Sequence, residues 1–208
     1  MKHIAESTVR RLSRYLRYLE EFEVQGHQTI SSGELAAQGG TTSAQVRKDL
    51  SFFGSFGKRG LGYSVGALST SLREILGLSR QWTVVILGGG KIGAALAQYR
   101  VFLDRGFKVI AVYDADPARA GKTLDGVPLR HQTDLEADIA RLKPDIALIA
   151  VPAEAAQQLV DRAVRAGVRG ILNFAPTPIH VPRHVTLRSV DMALELEILS
   201  YELVHGDA

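Results

Sequence analysis

The chain has 208 residues, 25 Lys+Arg against 22 Asp+Glu, and no cysteine, which excludes disulfides, thiolate metal ligands, thiol-based redox sensing and a cysteine nucleophile. Its longest apolar runs, such as residues 83–87 and 146–151, are strand-sized and far short of the roughly 20 residues that a membrane-spanning helix needs. The basic surplus is upstream: residues 1–82 hold 11 Lys+Arg against 7 Asp+Glu, and residues 83–208 hold 14 against 15, the asymmetry of a half that faces nucleic acid joined to a half with another task. The first residues carry scattered charges and no apolar segment before a small-residue cleavage site, so a cytoplasmic address is expected.

In chain order, Val9, Leu12, Leu16, Leu19 and Phe22 recur at helical spacing, with Gly26 placed to end the helix. Ser31 and Glu34 have the spacing of a capping box, so a short second helix is predicted from about Ser32 to Gly39. Thr42 and Gln45 repeat that spacing at the head of a third helix, "SAQVRKDLSFF". On it Val46, Leu50 and Phe53 form the buried stripe, Ala44, Lys48 and Ser51 point the other way, and Gln45 and Arg47 flank them. Short, polar and basic residues outward suit a recognition helix in the major groove. The run "GSFGKRGLGYSV" then reads as a basic β-hairpin wing, with Phe56, Tyr63 and Val65 in its strands and Lys58 and Arg59 at its tip. A further segment carrying Leu72, Ile75 and Leu76 ends at Gly77. Together these elements predict a small winged helix-turn-helix DNA-binding domain over residues 1–78.

The next segment opens with an apolar strand that runs into "GGGKIG": Gly88, Gly89, Gly90, Lys91, Ile92 and Gly93, a GxGxxG fingerprint followed by an Ala-rich helix. With a strand before it and a helix after it, the motif predicts a dinucleotide pyrophosphate held on helix amides. The following strand ends at Asp114, 21 residues after Gly93, where a carboxylate accepts from the adenosine ribose hydroxyls and repels a 2′-phosphate. NAD(H) is therefore expected over NADP(H), with Arg119 nearby pulling the other way. "DIALIAVP", "EAAQQLVDRAVRAG" and "VRGILNFAP" continue as buried strand, helix and strand, an α/β doubly wound Rossmann domain over residues 79–190. Val151, Pro152, Asn173, Phe174 and Ala175 follow strand ends and are candidates for the nicotinamide end. In the last segment, residues 191–208, Met192, Leu196, Leu199 and Leu203 form one apolar stripe and Leu194, Ile198 and Tyr201 another. That is more apolar surface than a monomer exposes, and it predicts a homodimer.

Catalytic groups are scarce. No tyrosine has a lysine four residues on, and His180 and His184, at i, i+4, are separated by Pro182, which argues against a metal-binding helix. No metal and no enzyme activity are expected. Two competing readings remain: a small oxidoreductase or CoA-ligand-type domain, and a purely structural dimerisation module.

The combination of "QVRKDLS", "GKRGLGY", "GGGKIG" with "YDADP", "ILNFAP" and "VDMALELEILSY" resembles the Rex family of bacterial redox-sensing transcriptional repressors, over essentially the whole chain. The resemblance implies a homodimer whose C-terminal helices are domain-swapped, each inserted between the two domains of its partner. It implies repression through a palindromic double-stranded operator when NADH is low relative to NAD+, and release by NADH. Matched position by position, it implies DNA contacts from Ser43, Gln45, Arg47, Lys48, Lys58, Arg59 and Tyr63. A nicotinamide environment of Tyr99, Val151, Pro152, Asn173, Phe174, Ala175 and Pro176 is implied in the same way, as is an ion pair of Arg17 with Asp191. Met192 stands where the family often has phenylalanine.

Overall fold

The computed structural model describes residues 4–58 and 61–206; of Lys58 only the backbone is described. The chain divides into two compact units, Met1–Arg80 and Gln81–Ala208.

In the first unit α1 (Glu6–Val24) buries Leu12, Tyr15, Leu16 and Leu19 completely, because these four fall on one helical face. Val9, expected on the same stripe, is 40% exposed one turn earlier, where the face leaves the core. β1 (Thr29–Ile30) precedes α2 (Ser32–Gln38), whose capping box closes as expected: Glu34 N–H donates to Ser31 Oγ at 3.1 Å, and Ser31 N–H donates to the Glu34 carboxylate at 2.7 Å. α3 (Ser43–Ser51) takes its cap from Thr42 Oγ1, but the reciprocal half of that box is absent, since the Gln45 side chain turns to Asp49 instead. Phe53 lies beyond the helix end and is only partly buried.

The hairpin differs from its sequence reading. Its strands are β2 (Gly57–Lys58) and β3 (Gly62–Ser64), and Val65 is not a strand residue but the first residue of α4 (Val65–Ile75), which Ser64 caps. A short serine that can accept from a helix amide outweighs the β preference of the valine after it. Among the described residues β1 joins the hairpin to give the order β1-β3-β2, a pairing with no local signal in a two-residue strand.

The second unit is built on β4 (Trp82–Leu87), α5 (Lys91–Ala97), α6 (Val101–Asp104), β5 (Phe107–Asp114), β6 (Thr123–Leu124), β7 (Val127–His131), α7 (Leu135–Leu142), β8 (Ile146–Ile149), α8 (Ala153–Arg165), β9 (Gly170–Asn173), β10 (Thr186–Ser189) and α9 (Met192–His205). Among the described residues the sheet order is β10-β9-β8-β4-β5-β7-β6, parallel except for the edge pair β6–β7. Val85, Ile86, Ala111, Val112, Ala147 and Ile149 on the three central strands are buried, as expected for strands covered on both faces. Strand order reverses beside β4, so the crevice beyond the carboxyl ends of β4 and β8 is the fold's ligand position. In α9 no side chain is buried.

Candidate dinucleotide and nucleic-acid surfaces

β4 delivers Gly88 to that crevice. Gly88 has φ +106°, donates its N–H to Tyr113 O at 2.8 Å, and lies so near the end of β8 that a Cβ would strike the carbonyl of Ala150. A Cβ on Gly93 would collide with the carbonyl of Gly88, so only glycine lets α5 sit down on the turn. Among the described residues no side chain caps α5, whose N-cap is the exposed Gly90, and none comes within 4 Å of a Cβ built there. The first amides of α5, at Lys91, Ile92 and Gly93, are thus left for an external acceptor, the arrangement that a pyrophosphate needs.

Asp114 ends β5 with its carboxylate turned into the same turn. Oδ2 accepts from Gly89 N–H at 2.9 Å and from Arg119 Nη1 at 3.0 Å, while Oδ1 accepts from Asp116 N–H at 2.9 Å. A carboxylate offers about four acceptor sites, two on each oxygen. One site therefore remains, on Oδ1, enough for one ribose hydroxyl. The arginine that pulled against NAD(H) in the sequence is bonded to the very carboxylate that favours it.

The residues after β8 and β9 divide by role. Val151 is half-buried and Pro152 exposed at the head of α8. Asn173, expected at the nicotinamide, is 1% exposed and spends its amide on its own loop: Nδ2 donates to Ala175 O at 3.2 Å and Thr177 O at 3.0 Å, and Oδ1 accepts from Ala175 N–H at 2.9 Å. It shapes the loop that presents Phe174, Ala175 and Pro176, and its own polar atoms are satisfied inside that loop. Tyr99 is set apart from this group. It follows the far end of α5, packs edge-on against Phe102 at 5.2 Å, and lines a recess with Lys108, Val127 and Pro128, residues at the starting ends of β5 and β7. Asp191 caps α9, its Oδ1 accepting from the amides of Ala193 at 3.0 Å and Leu194 at 3.2 Å. Arg17 is exposed on α1, and Met192 is 60% exposed.

In the first unit the outer face of α3 presents Ala44, Arg47, Lys48 and Ser51, all exposed, with Ser43 half-buried at its start. Arg47 Nη1 donates to Ser32 Oγ at 3.0 Å, and both line a recess with Ser31, Ser51 and Ser55 beside the hairpin. Arg59 lies outside the described residues. Tyr63 lines the same recess but is mostly buried: it is 9% exposed, its ring sits under Gly57, and burial pushes its phenol up from the usual value.

Sequence reasoning missed Asp49. Its side chain is fully buried on the inner side of α3 and collects Arg11 Nε at 2.6 Å, Arg11 Nη2 at 2.8 Å, Gln45 Nε2 at 2.8 Å and Tyr15 Oη at 3.1 Å. Burial alone raises a carboxyl, but the bonds from Arg11, Gln45 and Tyr15 outweigh it and hold Asp49 below the usual carboxylate value. Burial and the bond to Asp49 push the Tyr15 phenol up to about 12, so it stays a donor. A carboxylate only accepts, so Gln45 must aim its NH2 at Asp49. One N–H and Oε1 of Gln45 remain, the pair that an adenine edge bonds. The i, i+4 spacing of Gln45 and Asp49 was the available signal, but an aspartate amid basic residues reads as solvated until α1 is known to cover it.

Known proteins share this arrangement. Residues 79–177 match a family described as a CoA binding domain, and residues 3–51 match one described as a DNA-binding protein N-terminus. The redox-sensing transcriptional repressor Rex of Syntrophomonas wolfei is 48% identical over 96% of this chain and 95% of its own. That of Streptomyces coelicolor is 50% identical over 95% of this chain and 77% of its own. Among solved structures, RSP in complex with β-NAD+ and operator DNA superposes with a TM-score of 0.94 at 38% identity, covering 98% of this chain and 94% of that one. RSP in complex with β-NADH gives 0.88 at 37% identity, covering 98% and 95%.

Proposed function

Because the chain belongs to the Rex family of redox-sensing transcriptional repressors, we propose that the geometry above is read as one device: α3 and the hairpin hold an operator, and the crevice beyond β4 and β8 senses NADH against NAD+. The protein is a DNA-binding repressor and not an enzyme, and its dinucleotide is a regulatory ligand. Acting on a bacterial operator, it works in the cytoplasm. The observation that carries the dinucleotide half is Gly93 seated on Gly88 with Asp114 bonded to Gly89, a turn with no room for a Cβ at Gly88, Gly89 or Gly93.

Division of labour follows from position. The amides of residues 91–93 hold the pyrophosphate and Oδ1 of Asp114 accepts a ribose hydroxyl. Neither distinguishes the oxidised from the reduced form, because the two differ only at the nicotinamide ring, which is cationic in NAD+. Discrimination falls to Val151, Pro152, Phe174, Ala175 and Pro176, an apolar set that favours the uncharged ring. Asn173 acts by shaping that loop. Tyr99, Arg17, Asp191 and Met192 contribute through the dimer. The preference becomes a switch only if the reduced form binds the DNA-released arrangement more tightly, by about 1–3 kcal/mol per site. On the operator, Gln45 reads a base edge and Ser43, Arg47 and Lys48 meet phosphate or guanine, joined by Lys58 of β2 and by Arg59.

The dimer follows from α9. A 14-residue helix is marginal alone in water, and this one exposes Met192, Leu196 and Leu203 at 60%, 67% and 76%. It packs against the partner subunit as a swapped element. Replacing Leu196 and Leu199 together with Asp is expected to give monomers in light scattering and to weaken operator binding by at least about 100-fold, since one recognition helix then holds one half-site. A double variant that stays dimeric with full affinity would refute the assignment of α9.

Asp114→Ala is expected to blunt the release of operator by NADH, while operator binding without dinucleotide persists. Lys48→Ala is expected to do the reverse, weakening the operator complex and its salt dependence with NADH binding kept. Gel shifts with NADH and NAD+ titrated separately, beside direct binding of each dinucleotide, check both. Equal DNA retention by Lys48→Ala, or unchanged release in Asp114→Ala, would contradict the reading.

A further inference from the structure

We infer that Arg119 is a latent 2′-phosphate ligand which Asp114 keeps masked, so that the choice between NADH and NADPH rests on this one ion pair. The inference depends on the dinucleotide reading above and extends it to a residue that the fingerprint does not contain.

The backbone puts Arg119 where it is. Asp116 N–H donates to Asp114 Oδ1 at 2.9 Å, and Asp116 Oδ1 in turn accepts from Ala118 N–H at 2.9 Å, capping the short helix Pro117–Arg119. Arg119 N–H closes the turn on Asp116 O at 3.1 Å. The chain is thereby folded back so that the guanidinium, five residues on, reaches Asp114 Oδ2 at 3.0 Å. A guanidinium has five N–H donors. Among the described residues Arg119 uses one of them, and its side chain is 33% exposed.

Asp114 and Arg119 therefore make opposite demands on the 2′ position of the ribose. The remaining acceptor site on Asp114 Oδ1 takes a proton from a hydroxyl, but faces a phosphate that has only acceptors and negative charge to offer. The donors of Arg119 suit that phosphate, yet the guanidinium is neutralised by, and turned toward, the carboxylate. Removing the carboxylate takes away one tie of this turn, the bond from Asp116 N–H, but the Ala118–Asp116 cap and the Arg119–Asp116 backbone bond remain and hold the cation beside the same ribose position, with all its donors free. Such a site binds a phosphate by charge-assisted, bidentate bonds. A residue that only propped the turn would weaken both dinucleotides when removed, whereas this assignment moves them in opposite directions.

The test is to titrate NADH and NADPH into the full-length wild-type protein, Asp114→Ala, Asp114→Asn, Arg119→Ala and the Asp114→Ala/Arg119→Ala double variant, following nicotinamide fluorescence. The wild type is expected to prefer NADH. Both Asp114 variants are expected to bind NADPH about tenfold more tightly than the wild type does, the worth of one or two charge-assisted bonds. The double variant is expected to lose that gain. Arg119→Ala is expected to keep NADH binding within a few-fold and to refuse NADPH more strongly, because its carboxylate is no longer neutralised. NADPH affinity that does not rise in either Asp114 variant, or a gain that survives in the double variant, overturns the inference. Should the wild type bind neither NADH nor NADPH, the dinucleotide reading itself fails and takes this inference with it.

Discussion

Gly93→Ala is expected to abolish the response to NADH. The added methyl meets the carbonyl of Gly88, a backbone atom fixed by the bond from Gly88 N–H to Tyr113 and by the packing of Gly88 against Ala150. No rotamer change relieves a clash between a Cβ and a backbone oxygen, so α5 must lift off the turn and its first amides leave the position of the pyrophosphate. Overpacking of this kind costs about 3 kcal/mol, which at the binding step is about 100-fold in dissociation constant. Calorimetric titration with NADH measures that loss, and a gel shift across NADH concentrations shows whether operator release goes with it. Gly90→Ala separates packing from ligand contact: open space surrounds its Cβ position, so its methyl is expected to leave the thermal stability of the second unit nearly unchanged while obstructing the pyrophosphate, whereas Gly93→Ala is expected to lower stability as well. Equal losses of stability in the two variants would mean that the fingerprint glycines are not packed as described.

Asp49→Ala is the second large effect, this time on the first unit. It leaves the partly buried Arg11 guanidinium, the buried Tyr15 hydroxyl and the Gln45 amide without their acceptor. Removing one member of a buried pair costs about 3–5 kcal/mol. Chemical denaturation of the full chain should show an earlier transition for residues 1–80 with the second unit little changed, and operator affinity falling as Gln45 loses its anchor. Arg11→Ala should be at least as harmful, because it leaves the fully buried Asp49 carboxylate with only Tyr15 and Gln45 as donors; in the double variant the losses should be far from additive. The pH dependence has a definite sign. A carboxyl held below its ordinary value stabilises the fold above that value, so this contribution is present at neutral pH and is lost as the pH falls through the folded-state value of Asp49. Asp49→Ala should flatten the acid limb of the first transition. An unchanged acid limb would assign the acid sensitivity to other carboxylates.

The regular parts of this molecule were legible because they obey short-range rules. Helical spacing located the buried face of α1, the Ser31–Glu34 box located α2, and strand–glycine–helix context identified the β4–α5 turn before any coordinates. Where the reading slipped, two local rules competed: Val65 looked like a strand residue, but Ser64 capped a helix there. The strands β1 and β6 had too few residues to show a period and β10 buries none of its side chains, and all three exist because a neighbour supplies their hydrogen bonds.

By itself the sequence determined the α/β class, the winged helix-turn-helix upstream, and a dinucleotide ligand with a carboxylate 21 residues after the third glycine, since spacing and residue type suffice for those. Only the tertiary structure decided how the polar side chains are used. It turned Gln45 onto Asp49, sank Tyr63 into the core, closed Asn173 on its own loop, separated Tyr99 from the strand-end residues, and set Arg119 against Asp114. The reason is physical. Backbone conformation follows from neighbours in sequence, whereas a hydrogen bond goes to whichever partner the fold brings within about 3 Å, and that partner is usually not a neighbour in sequence.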